Sequence, residues 1–382
     1  MRPLKILHTA DWHLGLVSWR SYREVDRFEE QKECLERLLR VAQEEKVDLI
    51  LHAGDLFHQY YHPPKEAIQL AAEAIAELSR IAPFVWIIGN HDWYAVEALR
   101  KVFPQGVTVI RDMMPRDFGE LEVTIFPIPY IPISRFLGDH PGERVQEQAK
   151  RHLLQTMQRW VASFNPRHFH ILLGHLTVEE LAFYAEANAS REVFIKRADF
   201  PHGFSYGALG HLHGYTLLES PFTLCYPSSL VPDNFRNPGD KGGFVLAELV
   251  PGEQPRVHPV FLETSSLLSI DLERPLGVSE VRRLVEEKLR NSRRNYVRLR
   301  VRGEILSPEW MAELKRLRGE RFEIVVIEAI WEEEEKSAVE ASVDVAALPE
   351  LFARFAEEEN LSREVVELFE AYYHRVLEGE EQ

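Results

Sequence analysis

The sequence predicts a layered α/β domain, then a small α+β domain, then two helices at the C-terminus. Three observations lead there. Short apolar runs of strand type alternate with helix-spaced segments over the first part of the chain. A strand-helix-strand-helix-strand unit follows Glu263. Two amphipathic segments come after the charge run Glu332-Glu333-Glu334-Glu335, whose ordinary reading is a solvated linker. The expected boundaries are 1–262, 263–331 and 332–382.

The elements follow in order. Residues 4–8 form a short apolar strand. Residues 26–45 place Phe28, Gln31, Cys34, Leu35, Leu38, Leu39 and Ala42 at helical spacing. Residues 47–51 are a buried-type strand. Residues 65–81 are helical, with Ile68, Ala71, Ala72, Ile75 and Leu78 on one side, and residues 84–88 are another strand. The proline-rich stretch 126–132 reads as a strand end passing into a loop. Further strands are expected at 169–173, 206–209 and 243–246. In the following unit, strands at 267–272, 296–302 and 322–327 alternate with helices at 278–291 and 307–317. Ser307-Pro308 supplies a cap and a first-turn proline. Residues 348–358 and 362–377 carry apolar stripes, Leu348, Leu351, Phe352 and Phe355 on one, Val365, Leu368, Phe369, Tyr372 and Val376 on the other.

Composition bounds the function. The chain has 382 residues and 45% hydrophobic content, ordinary for a globular protein of two or three domains. No apolar run approaches the ~20 residues of a membrane helix. Residues 1–7 run straight into a strand without a signal-peptide pattern, so a cytoplasmic location is expected. Cys34 and Cys225, the only cysteines, read as small buried residues in a reducing compartment. A formal net charge of −16 argues against polyanion binding by bulk charge. Docking of a polyanion through local basic patches and bound cations remains compatible with it.

Five polar clusters each follow an apolar strand: Asp11-Trp12-His13, Gly54-Asp55, Gly89-Asn90-His91-Asp92, Gly174-His175 and Gly210-His211-Leu212-His213. Ligands gather at the carboxyl ends of strands in open α/β sheets, so five clusters can converge on one site. The glycines permit the sharp turns that deliver the next side chain. Asp, His and Asn make a hard-to-borderline donor set suited to Mn²⁺, Fe²⁺ or Zn²⁺. There are enough donors for two ions, the arrangement that clamps both oxygens of an in-line phosphoryl displacement. Asp55, alone after its strand, is the natural carboxylate to bridge them. Singly each cluster is weak, since a lone Gly-His is more often a turn than a ligand; the five together in order are not.

That ordered set resembles the calcineurin-like metallophosphoesterase superfamily, whose fold is a layered α/β sandwich. More closely, His8-Thr9-Ala10-Asp11-Trp12-His13-Leu14-Gly15, Ala53-Gly54-Asp55-Leu56-Phe57-His58 and Gly210-His211-Leu212-His213 look like the SbcD nuclease family. That family is the prokaryotic counterpart of the eukaryotic double-strand-break repair nuclease named for meiotic recombination. The resemblance covers the chain strongly to about residue 260 and more loosely through a following capping domain. It implies two Mn²⁺ ions, other divalent metals being possible. One would be held by Asp11, His13, Asp55 and His213, the second by Asp55, Asn90, His175 and His211. It implies that His91 sits by the scissile phosphate, stabilising charge or protonating the leaving oxygen, and that His58 helps orient substrate. The alternative for His58, with less weight, is a plain loop residue among Tyr60, Tyr61, His62 and Pro63. Trp12 and Trp93 read as packing supports for the ligands rather than base-stacking platforms.

The resemblance also implies DNA as substrate, an SMC-like coiled-coil ATPase of the SbcC type docked on the C-terminal helices, a homodimer, and work at the nucleoid. The C-terminal helices could instead pack on this chain. The dimer would use the helix beginning near Lys65 and one over 93–103, whose apolar faces suit a core equally well. In Val297-Arg298-Leu299-Arg300-Val301-Arg302 the period is two, so Arg298, Arg300 and Arg302 share a strand face that could contact phosphates or could be a solvated face paired with glutamates. No Walker-type loop occurs, so any ATP dependence would come from the partner. Two rivals stand: a phosphoesterase for a small phosphodiester or phosphomonoester, and a non-catalytic scaffold with no physical need for so many convergent ligands.

Overall fold

Apolar residues on both faces of successive strands require cover on both sides. The computed structural model supplies it with two six-stranded sheets packed face to face and helices outside. It describes residues 1–19, 22–92, 103–131, 145–184, 193–235, 241–303 and 306–331. Trp93, residues 93–102 of the helix expected over 93–103, the glutamate run and both C-terminal segments lie outside the described residues.

The first half of the chain gives β1 (Leu4–Thr9), the short pair β2 (Val17–Ser18) and β3 (Val25–Asp26), helix α1 (Phe28–Glu45), β4 (Leu49–His52), α2 (Lys65–Ile81), β5 (Phe84–Ile87), β6 (Val107–Ile110), β7 (Arg116–Phe118) and β8 (Val123–Ile128). Then come α3 (Val145–Ala162), β9 (Phe169–His175), the short pair β10 (Thr177–Val178) and β11 (Phe194–Ile195), β12 (Tyr206–Gly210), β13 (Thr216–Leu218), β14 (Leu224–Tyr226), β15 (Gly243–Leu249) and β16 (Arg256–Phe261). The first sheet has the order β16-β15-β1-β4-β5-β6, the second β13-β14-β12-β9-β8-β7. Strands β1, β4 and β5 are parallel neighbours, as are β9 and β12.

Alternation along each strand assigns its two faces. Ile6, Leu49, Leu51, Val85 and Ile87 meet Ile125, Ile171, Leu173 and Ala208 between the sheets. Leu7, Ile50, Phe84 and Trp86 point outward onto α1 and α2, through Leu35, Leu38, Ala71, Ile75 and Leu78. Phe126, Leu172 and Leu209 point the other way, onto Leu153, Met157 and Trp160 of α3. The small-residue face of α2 is therefore core. Sequence reading did not anticipate α3, although Ala149, Leu153, Met157 and Trp160 are at helical spacing, because Arg and Gln dominate between them.

After residue 262 come β17 (Ser266–Leu272), α4 (Val278–Lys288), β18 (Asn295–Arg302), α5 (Pro308–Arg316) and β19 (Phe322–Ile330). The strands form a separate three-stranded sheet, β17-β18-β19. Ser307 caps α5 as expected, its hydroxyl oxygen accepting the Trp310 amide, while α4 stops at Lys288, short of the predicted end. The chain divides into two compact units. The first contains Met1–Asp271, Leu276–Arg300 and Ser307–Glu328; the second contains Leu272–Pro275, Val301–Leu306 and Ala329–Gln382. The expected boundary at 262 thus falls inside the first unit. There Arg23 bonds Glu323 at 2.6 Å, the Tyr22 hydroxyl donates to the Met311 carbonyl at 3.1 Å, and the Arg27 guanidinium lies 4.9 Å from the Tyr296 ring centre. In the second unit the Gly303 amide donates to the Ile330 carbonyl. Among the described residues no helix is long and apolar enough to cross a membrane.

Candidate metal centre

Each polar cluster begins where its strand ends, and neighbouring parallel strands bring the clusters together. Asp11 and His13 follow β1, Asp55 follows β4, Asn90 and His91 follow β5, His175 ends β9, and His211 and His213 follow β12. The backbone there is forced into unusual shapes. Asp11, His13, Asp55 and His211 all have positive φ, of 50°, 44°, 57° and 94°. A left-handed non-glycine residue costs roughly 1–2 kcal/mol, so something must hold it. The Asp11, His13 and Leu14 amides donate to the Gly54, Asp55 and Leu56 carbonyls at 2.9, 3.1 and 2.9 Å, zipping two ligand loops together. Gln31 of α1 reaches under the first loop, its amide nitrogen donating to the carbonyls of Trp12 and His13 at 3.0 and 2.7 Å. Gly54 has φ +97°, and a Cβ on Gly89 would run into the Asp55 side chain.

The side chains converge in two groups. Asp11, His13 and His213 form one, and Asp55, His175 and His211 form another, each with donor atoms within 4.8 Å of one another. One Asp55 oxygen stands between them, 3.6 Å from His13 Nε2 and 3.5 Å from His175 Nε2. The Asn90 Oδ1 lies 2.8 Å from His175 Nε2 and 3.2 Å from His211 Nδ1, which adds it to the second group. The other Asp55 oxygen accepts the His91 amide at 2.8 Å. His175 Nδ1 is 2.7 Å from the Ala53 carbonyl, so Nδ1 carries the proton and Nε2 faces the site.

His58 and His91 stand at the rim. With His13 they form a third close group. His91 Nδ1 is 2.6 Å from the His58 carbonyl, which fixes the ring with Nε2 turned elsewhere. The Tyr60 ring stacks on His91 with centres 4.3 Å apart. All seven expected ligands and both rim histidines are therefore brought together.

The electrostatics suit a cation. Burial opposes ionisation of Asp55, yet His175, which also hydrogen-bonds it, and His91 hold its carboxyl well below the usual range. Burial alone would lower His175, but the Asp55 and Asp11 carboxylates push it up to about 9. Burial and the neighbouring His91 hold His13 well below its ordinary value. His13 Nε2 and His213 Nε2 face each other at 3.2 Å. Two imidazole nitrogens so placed either share a hydrogen or both turn lone pairs toward a metal ion. The oxygen and nitrogen donors fit a divalent first-row ion, with the Asp11, His13, His213 group and the Asp55, Asn90, His175, His211 group each able to hold one.

Sequence reading missed the residues that hold these ligands. Asp92, fully buried, accepts the amides of Asp55, Leu56 and Gly89 at 2.9, 2.8 and 2.8 Å, and the Trp86 indole at 3.3 Å. Burial, reinforced by Asp55, pushes its carboxyl up to about 6. Its position in Gly-Asn-His-Asp was the available signal. Asp233, 2.8 Å from His213 Nδ1, had no motif to announce it. Burial would raise it, but His213 drives its carboxyl far below the usual range. Trp12 is a packing support, buried, with its indole donating to Thr9 Oγ1 at 2.7 Å.

The arginine face of β18 is occupied by acids. Arg300 makes two 2.7 Å bonds to Asp271, and Arg302 lies 3.8 Å from Glu273. Arg298 donates to the Phe235 carbonyl at 3.0 Å and sits 3.5 Å from Glu328.

Comparison with known proteins gives a consistent result. Residues 4–215 match the family described as calcineurin-like phosphoesterase. The SbcD component of nuclease SbcCD from Bacillus subtilis is 26% identical over 397 residues, covering 96% of this chain and 97% of the relative. Its namesake from Staphylococcus epidermidis is 28% identical over 257 residues, 64% of this chain and 66% of the relative, just under two thirds of that protein's length. Among solved structures, a dimetal phosphatase from Danio rerio overlaps 66% of this chain and 98% of its own at 13% identity, with a TM-score of 0.41.

Proposed function

The chain belongs to the calcineurin-like phosphoesterase family, and from that premise we propose that it is a manganese-dependent DNA nuclease, a 3′–5′ exonuclease on duplex ends and an endonuclease on single strands. The observation that carries the reading is Asp55, standing between two groups of buried donors. Asp11, His13, Asp55 and His213 would hold one ion, and Asp55, Asn90, His175 and His211 the other. When bound, two such ions draw charge from the scissile phosphate and from both the entering and leaving oxygens.

The chain's own groups do the rest. The His58 carbonyl accepts a hydrogen bond from His91 Nδ1–H, which turns Nε2 toward the phosphate; the doubly protonated ring would give its Nε2 proton to the departing oxygen and keep the one on Nδ1. The His58 ring, stacked 5.9 Å from that of His91, borders the path of the strand and orients it. The names of the relatives support DNA as substrate and an SMC-like ATPase of the SbcC type as partner. That partner would dock on the C-terminal segments, with residues 263–331 as a cap beside the site. The assembly would be a homodimer acting at the nucleoid, in the cytoplasm, in double-strand-break repair.

A second reading, hydrolysis of a small phosphodiester or phosphomonoester, is favoured by one observation: Arg298, Arg300 and Arg302 are engaged by acids rather than arrayed for phosphates. One experiment separates the two. End-labelled linear duplex DNA and a small chromogenic diester are each offered with Mn²⁺ to the parent and to His91→Ala. DNA degradation by the parent, lost in a variant that still binds Mn²⁺, supports the nuclease. Diester hydrolysis with DNA untouched, even with the ATPase present, selects the second reading.

A further inference from the structure

We propose that Asp233 is the positioning residue of the metal centre, orienting His213 as a ligand from behind. The inference rests on the metal-site reading above. Asp233 Oδ2 lies 2.8 Å from His213 Nδ1, and its other oxygen accepts the Asn234 side-chain amide at 2.8 Å. On the far side of the same ring, His213 Nε2 faces His13 Nε2. An anion against Nδ1 keeps the proton there, leaves the Nε2 lone pair toward the site, and raises its basicity. At His175 the rear nitrogen meets a backbone carbonyl instead.

The segment carrying Asp233 is built to hold it there. The Ser229 amide donates to the His213 carbonyl at 3.0 Å, and the Leu230 amide donates to the Asp11 carbonyl at 3.2 Å. Just beyond, the Pro232 carbonyl accepts from the fully buried Arg27 at 2.9 Å. The Phe235 carbonyl accepts from Arg298, whose guanidinium also covers the Phe235 ring at 5.0 Å. Asp233 is thus fixed between two ligand loops on one side and two arginines on the other. Arg298, on this view, braces the centre rather than reaching for substrate.

The test measures Mn²⁺ binding to the full chain by calorimetry for the parent, Asp233→Ala and Asp233→Asn, with nitrogen-15 NMR of the metal-free His213 ring. Removal of such a carboxylate costs about 10- to 100-fold in metal affinity. Asp233→Ala should lose that much at one class of site, and the His213 Nδ1 proton signal should shift or exchange-broaden. Asp233→Asn, which keeps an acceptor oxygen, should recover part of the loss. Should Asp233→Ala fail to fold, Asp233→Asn in a His213→Ala background replaces it; a positioning role predicts no further loss of affinity there. Parent and both variants agreeing within about twofold would overturn the proposal and leave the metal site standing. A parent that binds no divalent ion would overturn both.

Discussion

Replacing Asp92 should cost both stability and metal affinity, although Asp92 touches no metal. Its carboxylate accepts four N–H donors, one oxygen taking Leu56 and the other taking Asp55, Gly89 and the Trp86 indole. Alanine would leave three buried amides without an acceptor, and each such orphan costs about 1–3 kcal/mol, so the loss is roughly 3–9 kcal/mol before relaxation. That rivals the whole margin of about 5–15 kcal/mol for a folded domain. Asn is the informative substitution. Its single oxygen can serve the crowded side, giving up the Leu56 amide and the charge assistance of the others, for a loss of about 3 kcal/mol. The three remaining contacts keep the fold but, without the charge, hold the loops bearing Asp55 and Asn90 less tightly. Urea unfolding reads the first quantity, and Mn²⁺ calorimetry at neutral pH the second. A stability change under about 1 kcal/mol together with parental Mn²⁺ affinity would refute the idea that Asp92 ties those loops.

Two further outcomes are expected. Asp55→Asn should lose Mn²⁺ occupancy and cleavage together, because the shared ligand loses its charge while Asn still tolerates the left-handed backbone; in the metal-free variant NMR titration should find His175 well below the value of about 9 that Asp55 sustains. His52→Leu tests acid stability. Neither His52 nitrogen has a hydrogen-bond partner among the described residues, and burial lowers the imidazole from 6.5 to about 3. Between those values the unfolded chain takes up a proton that the native ring refuses, so wild type loses stability as pH falls from 6.5 toward 3. Leucine lacks this penalty, and the variant should gain ~2 kcal/mol on wild type between pH 8 and pH 5. Urea curves showing the same difference at both pH values would contradict it.

How much of this was legible in the sequence depends on the kind of interaction. Strands such as β1 and β4 announce themselves through continuous apolar runs, and the ligands through Asp, His and Asn placed directly after them. Helix α2 was foreseen to the residue because proline and lysine open it and an apolar stripe runs its length. The rim strands β7, β13 and β16 were not foreseen, because they are short or half-exposed and their pairing is set by neighbours distant in sequence. The supports were hidden for a related reason. Gln31 and Asp233 act across separations of 18 and 20 residues, on loops whose proximity only the fold creates. Arg298, Arg300 and Arg302 show the converse: periodicity placed them on a strand correctly, but it could not reveal that Glu328, Asp271 and Glu273, far along the chain, would stand beside them.

The left-handed ligand residues have a consequence for selectivity. Asp11, His13, Asp55 and His211 keep their improbable backbone through hydrogen bonds from their amides, the first two to carbonyls of a neighbouring loop and the others to the Asp92 and Asp11 carboxylates. The receptor is therefore shaped before any cation arrives. A cation of the wrong radius meets a frame that resists closing around it, so discrimination among divalent ions becomes a mechanical property of the polypeptide as well as a preference of its donors.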